Sequence, residues 1–342
     1  MPGEADSLPP QMNSKSAIFF MRLKILVSAV IITAFFMSVA IGTLFFLPLQ
    51  NDMGNEAAVF GIETGSPLPL IAQRLESESF ITNKYVFRFG VQLFGNAGRL
   101  KAGEFRIPTR SSMYCIMQVL TEGQAVLHSV TIPEGLSNIQ IFNLLSYSPL
   151  LEGDITRTPS EGSLLPETYY FPRGSSRDAL IMQMEKAMRQ TLDQLWDNRA
   201  PNLPLQNQNE ALVLASIVEK ETGVAAERAL VASVFINRLN KNMRLQSDPT
   251  IIYGLKKGQV LGRPIRKSEI KKPTAYNTYV IRGLPPTPIA NPGRHSLEAT
   301  LNPAKTDYLY FVADGTGGHV FTKTLSAHNK NVENWRRMRS RQ

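Results

Sequence analysis

The sequence predicts an α+β protein in three parts: an N-terminal transmembrane helix, a small α+β module, and a larger mixed, mainly helical domain with a β-hairpin. Three observations predict it: an uncharged apolar run near the start, a strand-helix-helix-strand order after it, and long stretches of helical periodicity in the second half of the 342 residues. No residue from Ile25 to Asn51 is charged, and Ile25 to Leu47 supplies 23 mostly apolar positions, against the roughly 20 that cross a bilayer as a helix. Lys15, Arg22 and Lys24 precede the run, whereas Asp52, Glu56 and Glu63 follow it with no cation before Arg74. The positive-inside rule then keeps a tail, 1–24, in the cytoplasm, makes 25–48 the transmembrane helix, and exports the rest. A cleaved signal peptide would carry a shorter apolar stretch of about 7 to 15 residues, so an uncleaved anchor is expected.

After the anchor, Val59 to Glu63 reads as a strand, Gly65-Ser66-Pro67 as a turn, and Leu70 to Ser77 as a helix with Ile71 and Leu75 on one face. Ile62, Gly65, Ile71 and Leu75 are matched seventy residues later by Ile132, Gly135, Ile141 and Leu145, which suggests a second strand-turn-helix unit. Between the two, Tyr85 to Gly95 is aromatic and apolar, and Gly103 to Ile107 is a candidate strand. Ser111 to Glu122 is an amphipathic helix through Met113, Ile116, Met117 and Leu120. A small α+β module over 57–127 follows. The larger domain, 128–335, has long helical segments at 176–197, 209–222 and 225–240. Between Pro264 and Pro303 lie seven of the 22 prolines, so that stretch is expected to hold neither regular helix nor central strand. Tyr308 to Ala313, a Gly-rich turn and His319 to Thr324 form the hairpin, and Ser326 to Arg339 a last helix.

Composition narrows function. Lys and Arg number 37 against 28 Asp and Glu, a balance that ordinarily raises nucleic acid as a partner. Export removes that partner, and no helix-turn-helix, zinc-finger or aromatic RNA-binding signature is present. The excess is local: Lys256, Lys257, Arg263, Arg266, Lys267, Lys271 and Lys272 stand against Glu269 alone, and Arg336, Arg337, Arg339 and Arg341 gather at the end. The single cysteine, Cys115, excludes an internal disulfide and reads as a packed thiol. The four histidines lack metal spacing, so no metal and no cofactor is expected.

Chemistry concentrates where a buried helix turns polar. Residues 211–223 read ALVLASIVEKETG, apolar on every side up to Val218 and then Glu219, Lys220 and Glu221. A carboxyl held against an apolar wall has its pKa raised, as a general acid near neutrality requires. The pattern leaves Glu219 and Glu221 as equal claimants, and either can equally mark the solvated end of a core helix. Arg238, the turn at Leu245 to Thr250, and Pro273 to Tyr279 add hydrogen-bonding and aromatic side chains of the kind a sugar requires. No phosphate-cradling Gly loop and no GxSxG elbow compete for the site.

These segments resemble the YceG-like family of endolytic murein lytic transglycosylases. The resemblance rests on ASIVEKET at 215–222, VASVFINRL at 231–239, MRLQSDPTIIYG at 243–254 and KPTAYNTY at 272–279. GLPPTPIANPG at 283–293, YLYFVADGTGGHVF at 308–321 and HNKNV at 328–332 continue it. It implies a lyase anchored in the inner membrane by a single pass, its N-terminus cytoplasmic and its catalytic domain periplasmic, with a LysM-like module at 57–127. The family would cut the β-1,4 bond between N-acetylmuramic acid and N-acetylglucosamine without water, leaving 1,6-anhydro ends and terminating nascent strands. It designates Glu219 as the acid/base. Gln246, Asp248, Tyr276 and Asn277 are candidate sugar contacts. Expected partners are peptidoglycan strands, membrane lipid, penicillin-binding proteins and the elongation machinery. The alternative is a silent, membrane-tethered peptidoglycan-binding module that recruits wall synthases.

Overall fold

A computed structural model describes residues 14–48 and 57–339. The first half of the expected cytoplasmic tail, and Arg341, lie outside the described residues. About half the chain is helical, the sheets are small, and contacts divide it into two compact units between Val126 and Leu127.

The first unit begins with α1 (Ser14–Phe46), of which Ile18–Phe46 is long and apolar enough to cross a membrane. This stretch starts earlier than the uncharged run because it takes in Arg22 and Lys24, whose long stems can carry their charges to the lipid headgroups. After it come β1 (Ala58–Ile62), α2 (Leu68–Ser77), α3 (Lys84–Leu93), β2 (Gly103–Ile107) and α4 (Met113–Glu122). β1 and β2 pair antiparallel with Phe60 opposite Phe105, and both rings enter a core with Leu75, Phe87, Val91, Met113 and Leu120. Asn83 caps α3 by accepting from the amides of Tyr85 and Val86, and Ser112 caps α4 through Cys115 N–H. Cys115 is half-buried and free.

The second unit opens with β3 (Leu127–Thr131) and α5 (Asn138–Ser146). The seventy-residue match corresponds to structure here: each copy is a strand, a left-handed glycine (Gly65 at φ 80°, Gly135 at φ 75°) and a helix that buries its isoleucine and leucine. Then come β4 (Leu151–Glu152), β5 (Thr168–Pro172), β6 (Ser175–Ser176), α6 (Arg177–Asp197), α7 (Gln208–Glu221) and α8 (Arg228–Asn240). α9 (Asp248–Lys256), α10 (Lys267–Lys271), α11 (Arg294–Leu301), β7 (Tyr310–Ala313), β8 (His319–Thr322) and α12 (Leu325–Arg339) complete it. β3 pairs with β5 and β7 with β8, both antiparallel, while β4 and β6 form a short parallel bridge.

Two expectations are corrected. The proline-rich stretch does contain helix, α10 and α11, because each forms from a proline-free run, between Pro264 and Pro273 and between Pro292 and Pro303, and the rings bound the helices instead of breaking them. Asp248-Pro249-Thr250 is the first turn of α9 rather than an isolated turn, since proline near a helix start gives up an amide that has no partner there anyway. α7 is the axis of this unit: Ala211 to Val218 are all buried, against residues of α6, α8 and α11. Its one polar residue in that run, Ser216, donates to Val213 O and accepts the Ile289 amide at 3.0 Å.

Candidate active site

α7 delivers Glu219 and Glu221 to different surroundings. With about 100° per residue, they point roughly 160° apart. Glu219 Oε2 accepts the amide of Gly293 at 2.9 Å, fixing the loop that leads into α11. The packing there is close: a Cβ at residue 293 would overlap the Glu134 carboxylate, which would have to swing aside. Lys220, between the two glutamates, donates to Gly135 O at 3.1 Å. It borders a cavity of about 330 Å³ whose other walls include Ser137, Tyr253, Val260 and Ile289. Neither glutamate lines that cavity.

Glu221 closes α7 on the other side. It is half-buried by exposed area, yet deep enough among protein atoms that burial pushes its carboxyl up to about 7. The negative charge of Asp248 pushes in the same direction, while the Ser247 hydroxyl, His319 and Arg238 oppose it. Ser247 Oγ donates to Glu221 Oε1 at 2.5 Å. That hydroxyl is held from behind: Ser247 N–H donates to Thr278 Oγ1 at 2.9 Å, and Thr250 Oγ1 bonds both Ser247 O and Thr278 Oγ1. Ser247, Thr250 and Thr278 are all buried.

Arg238 on α8 fixes the walls. Only 6% exposed, it donates through Nε to Leu309 O at 2.7 Å and through Nη1 to Leu245 O at 2.6 Å, joining the loop before α9 to the start of the hairpin. His319 on β8 is tied to Glu227, with Nδ1 and Oε2 2.7 Å apart and the His319 amide donating to Oε1. The arrangement is one carboxyl able to hold a proton near neutrality, one hydroxyl aimed at it, and cationic and anionic neighbours at fixed positions.

The sequence-derived sugar contacts separate. Asp248 lies beside Glu221, exposed, and accepts the Tyr279 hydroxyl at 2.7 Å. Gln246 is exposed next to Ser247 at φ 53°, a left-handed conformation, with its amide on Thr278 O. Tyr276 stands elsewhere, its ring 4.9 Å from that of Tyr253 and under Lys257 Nζ at 4.2 Å, with its hydroxyl on Thr287. Asn277 is 1% exposed and its Nδ2 serves Glu269 O, Ile270 O and Lys272 O. That amide holds the end of α10.

Ser247 and Tyr279 lie within the family-like motifs yet do not stand out there, because a serine or tyrosine in a loop carries no signal until the loop is folded against a carboxylate. The Glu227–His319 pair joins residues 92 positions apart, and nothing in the spacing announces it. The basic stretch from Lys256 to Lys272 is mostly open to solvent. Arg263 is the exception in pairing, bonding both oxygens of Glu269.

Comparison with known proteins places this geometry among relatives. A profile of the YceG-like family matches residues 60–334. An endolytic murein transglycosylase of Bacillus subtilis strain 168 is 32% identical over 326 residues, covering 84% of this chain and 87% of the relative. One of Streptococcus pneumoniae D39 is 31% identical over 337 residues, covering 84% of this chain and 59% of the relative. A crystal structure of a yceG-like protein from Listeria monocytogenes superposes with a TM-score of 0.51 at 32% identity, covering 81% of this chain and 99% of that one.

Proposed function

Because the chain belongs to the YceG-like family, we propose that it is a peptidoglycan lytic transglycosylase. It cuts the β-1,4 bond between N-acetylmuramic acid and N-acetylglucosamine inside glycan strands and leaves 1,6-anhydro ends. We assign the acid/base role to Glu221 in place of Glu219. The observation that carries the assignment is the environment of Glu221, whose carboxyl is raised to about 7 by burial and bonded by Ser247, whereas Glu219 is engaged by the Gly293 amide.

One carboxyl suffices for this reaction. Protonated Glu221 donates to the leaving oxygen as the glycosidic bond breaks, and the resulting carboxylate accepts the proton of the C6 hydroxyl as that oxygen attacks the anomeric carbon. Ser247, with its proton directed at Oε1, stabilises the carboxylate stage and leaves Oε2 to carry the transferred proton. Asp248, Gln246 and Tyr279 are placed to contact the sugars around the reacting bond. Tyr276, with Lys257 Nζ over its ring, and the exposed Lys256, Lys271 and Lys272 of the same basic stretch suit lactyl and peptide carboxylates further along the strand.

The finer organisation belongs to the same reading. The antiparallel β1–β2 pair with α2 and α3 between its strands supports a LysM-like glycan-binding module at 57–127, and 128–335 supplies the catalytic domain. The charge asymmetry around α1 supports a cytoplasmic N-terminus and a periplasmic remainder. Penicillin-binding proteins and the elongation machinery enter through the family resemblance.

The test is mass spectrometry of muropeptides released from isolated sacculi. The full chain should release 1,6-anhydro products, and a folded Glu221→Gln protein none. Undiminished release from Glu221→Gln, with loss in Glu219→Gln, would reverse the pair. Reducing ends in place of anhydro ends would mean hydrolysis, with Asp248 as the second carboxylate.

A further inference from the structure

α3 has two apolar faces, and protein covers one of them. Phe87 and Val91 point into the core of the first unit. Roughly 180° around the helix, Tyr85, Phe89 and Leu93 are 65%, 55% and 70% exposed. Their i, i+4, i+8 spacing makes one continuous stripe, and exposed Phe94 follows it. A helix that is apolar on opposite sides calls for a second apolar neighbour.

The end of α1 shows which neighbour. Phe45, in its last turn, is 4% exposed because it is a core residue of this unit, packed among the same side chains as Phe87 and Val91. A Cβ at Gly90, the small residue on α3's inner face, would collide with the Phe45 ring. Glycine at that position lets the two helices close on each other. Phe45 also stacks on Phe94 with centroids 6.0 Å apart, and Phe46 and Phe94 reach Tyr114 at 5.3 and 5.5 Å. α3 is therefore bolted to the residues at which the apolar span ends, and it cannot swing away from that level. The level where a span ends is the aromatic and headgroup zone of a bilayer. Charge agrees: residues 79–103 contain Arg88, Arg99, Lys101 and Lys84, the last paired with Glu76 at 3.2 Å, and no acid, the flank that an interfacial helix presents to anionic lipid.

We infer that α3 is a second membrane contact: its Tyr85, Phe89 and Leu93 face lies in the headgroup and upper acyl region of an anionic bilayer beside α1. The inference rests on α1 spanning the membrane and is independent of the transglycosylase assignment. Its consequence is that the first unit is seated on the lipid surface, not tethered above it.

The test uses the full chain with Cys115→Ser, incorporated into phosphatidylglycerol nanodiscs and carrying an environment-sensitive fluorophore on Leu93→Cys or, separately, on Ile32→Cys in the span. The label at residue 93 should be blue-shifted, quenched by doxyl groups high on the lipid chains, and shielded several-fold from aqueous iodide. At residue 32 quenching should be strongest with doxyl groups near the bilayer centre. Iodide-open emission at 93 with a lipid-quenched 32 would overturn the inference alone. Shielding at 93 without lipid quenching would also overturn it, since protein and not lipid would then cover the face. An unquenched label at 32 would remove the span, and the inference with it.

Discussion

On the side of α7 that meets Gly293, a carboxylate accepts a backbone amide and holds a loop. On the side that meets Ser247, two residues later, a carboxyl is kept near neutrality by burial with one hydroxyl facing it. Both residues are half-buried glutamates of the same helix. Their partners differ. A backbone amide makes one carboxyl an anchor for a loop, whereas a desolvated site with a nearby Asp makes the other's proton hard to lose. The two glutamates of one motif thus differ in the groups that each carboxyl faces.

The largest expected effect is on activity. Glu221→Gln should lower anhydro-muropeptide release by about 10²- to 10⁴-fold, the range that a positioned acid/base supplies, with the fold retained by circular dichroism. With Glu221 as the proposed acid/base, Glu219→Gln should stay within about tenfold of the parent, because the proposed proton transfer does not pass through it. Next is stability: Glu219→Ala leaves the Gly293 amide without its acceptor and should cost about 1–3 kcal/mol in urea unfolding. Glu221→Gln should instead make the protein more stable above neutrality. The sign comes from linkage. A carboxyl whose folded pKa is raised from 4.5 to about 7 binds its proton more tightly when folded, so its contribution is full at low pH and is lost as pH rises through about 7.

The pH profile sharpens the assignment further. Activity that needs protonated Glu221 should fall as pH rises through about 7, and Ser247→Ala should move that fall to higher pH, because the hydroxyl it removes lowers the carboxyl's pKa. A fall that stays in place would detach Ser247 from the titrating group. The smallest effect is at the lysines. Neutralising Lys256, Lys257, Lys271 and Lys272 together should weaken binding to sacculi and flatten its salt dependence while leaving the pH profile unmoved.

The parts of this fold that are legible in sequence are those where one segment determines its own fate. α7 and α8 show as unbroken apolar periodicity, the β7–β8 hairpin as two strands around a Gly-rich turn, and α1 as an uncharged run. α9 and α11 are hidden by prolines that bound helices instead of breaking them. The site is half legible. Both glutamates and Asp248 are visible as residues, but their ranking depends on Ser247 and Thr278, thirty-one positions apart and joined by a hydrogen bond. Asn277 shows a partner set that sequence hides: a polar side chain inside a sugar-like motif bonds three nearby carbonyls.

Phe45 bears on how the protein is made as well as on where it sits. A peptidase cutting at or beyond Phe45 would take from the first unit a ring that belongs to its interior, and truncation of a buried phenylalanine costs about 3–5 kcal/mol. Retention of the last turn of α1 is thus written into the folding of the unit behind it. A soluble version trimmed at Asn51 should lose cooperativity in its first unit, and one begun a turn before Phe45 should keep it.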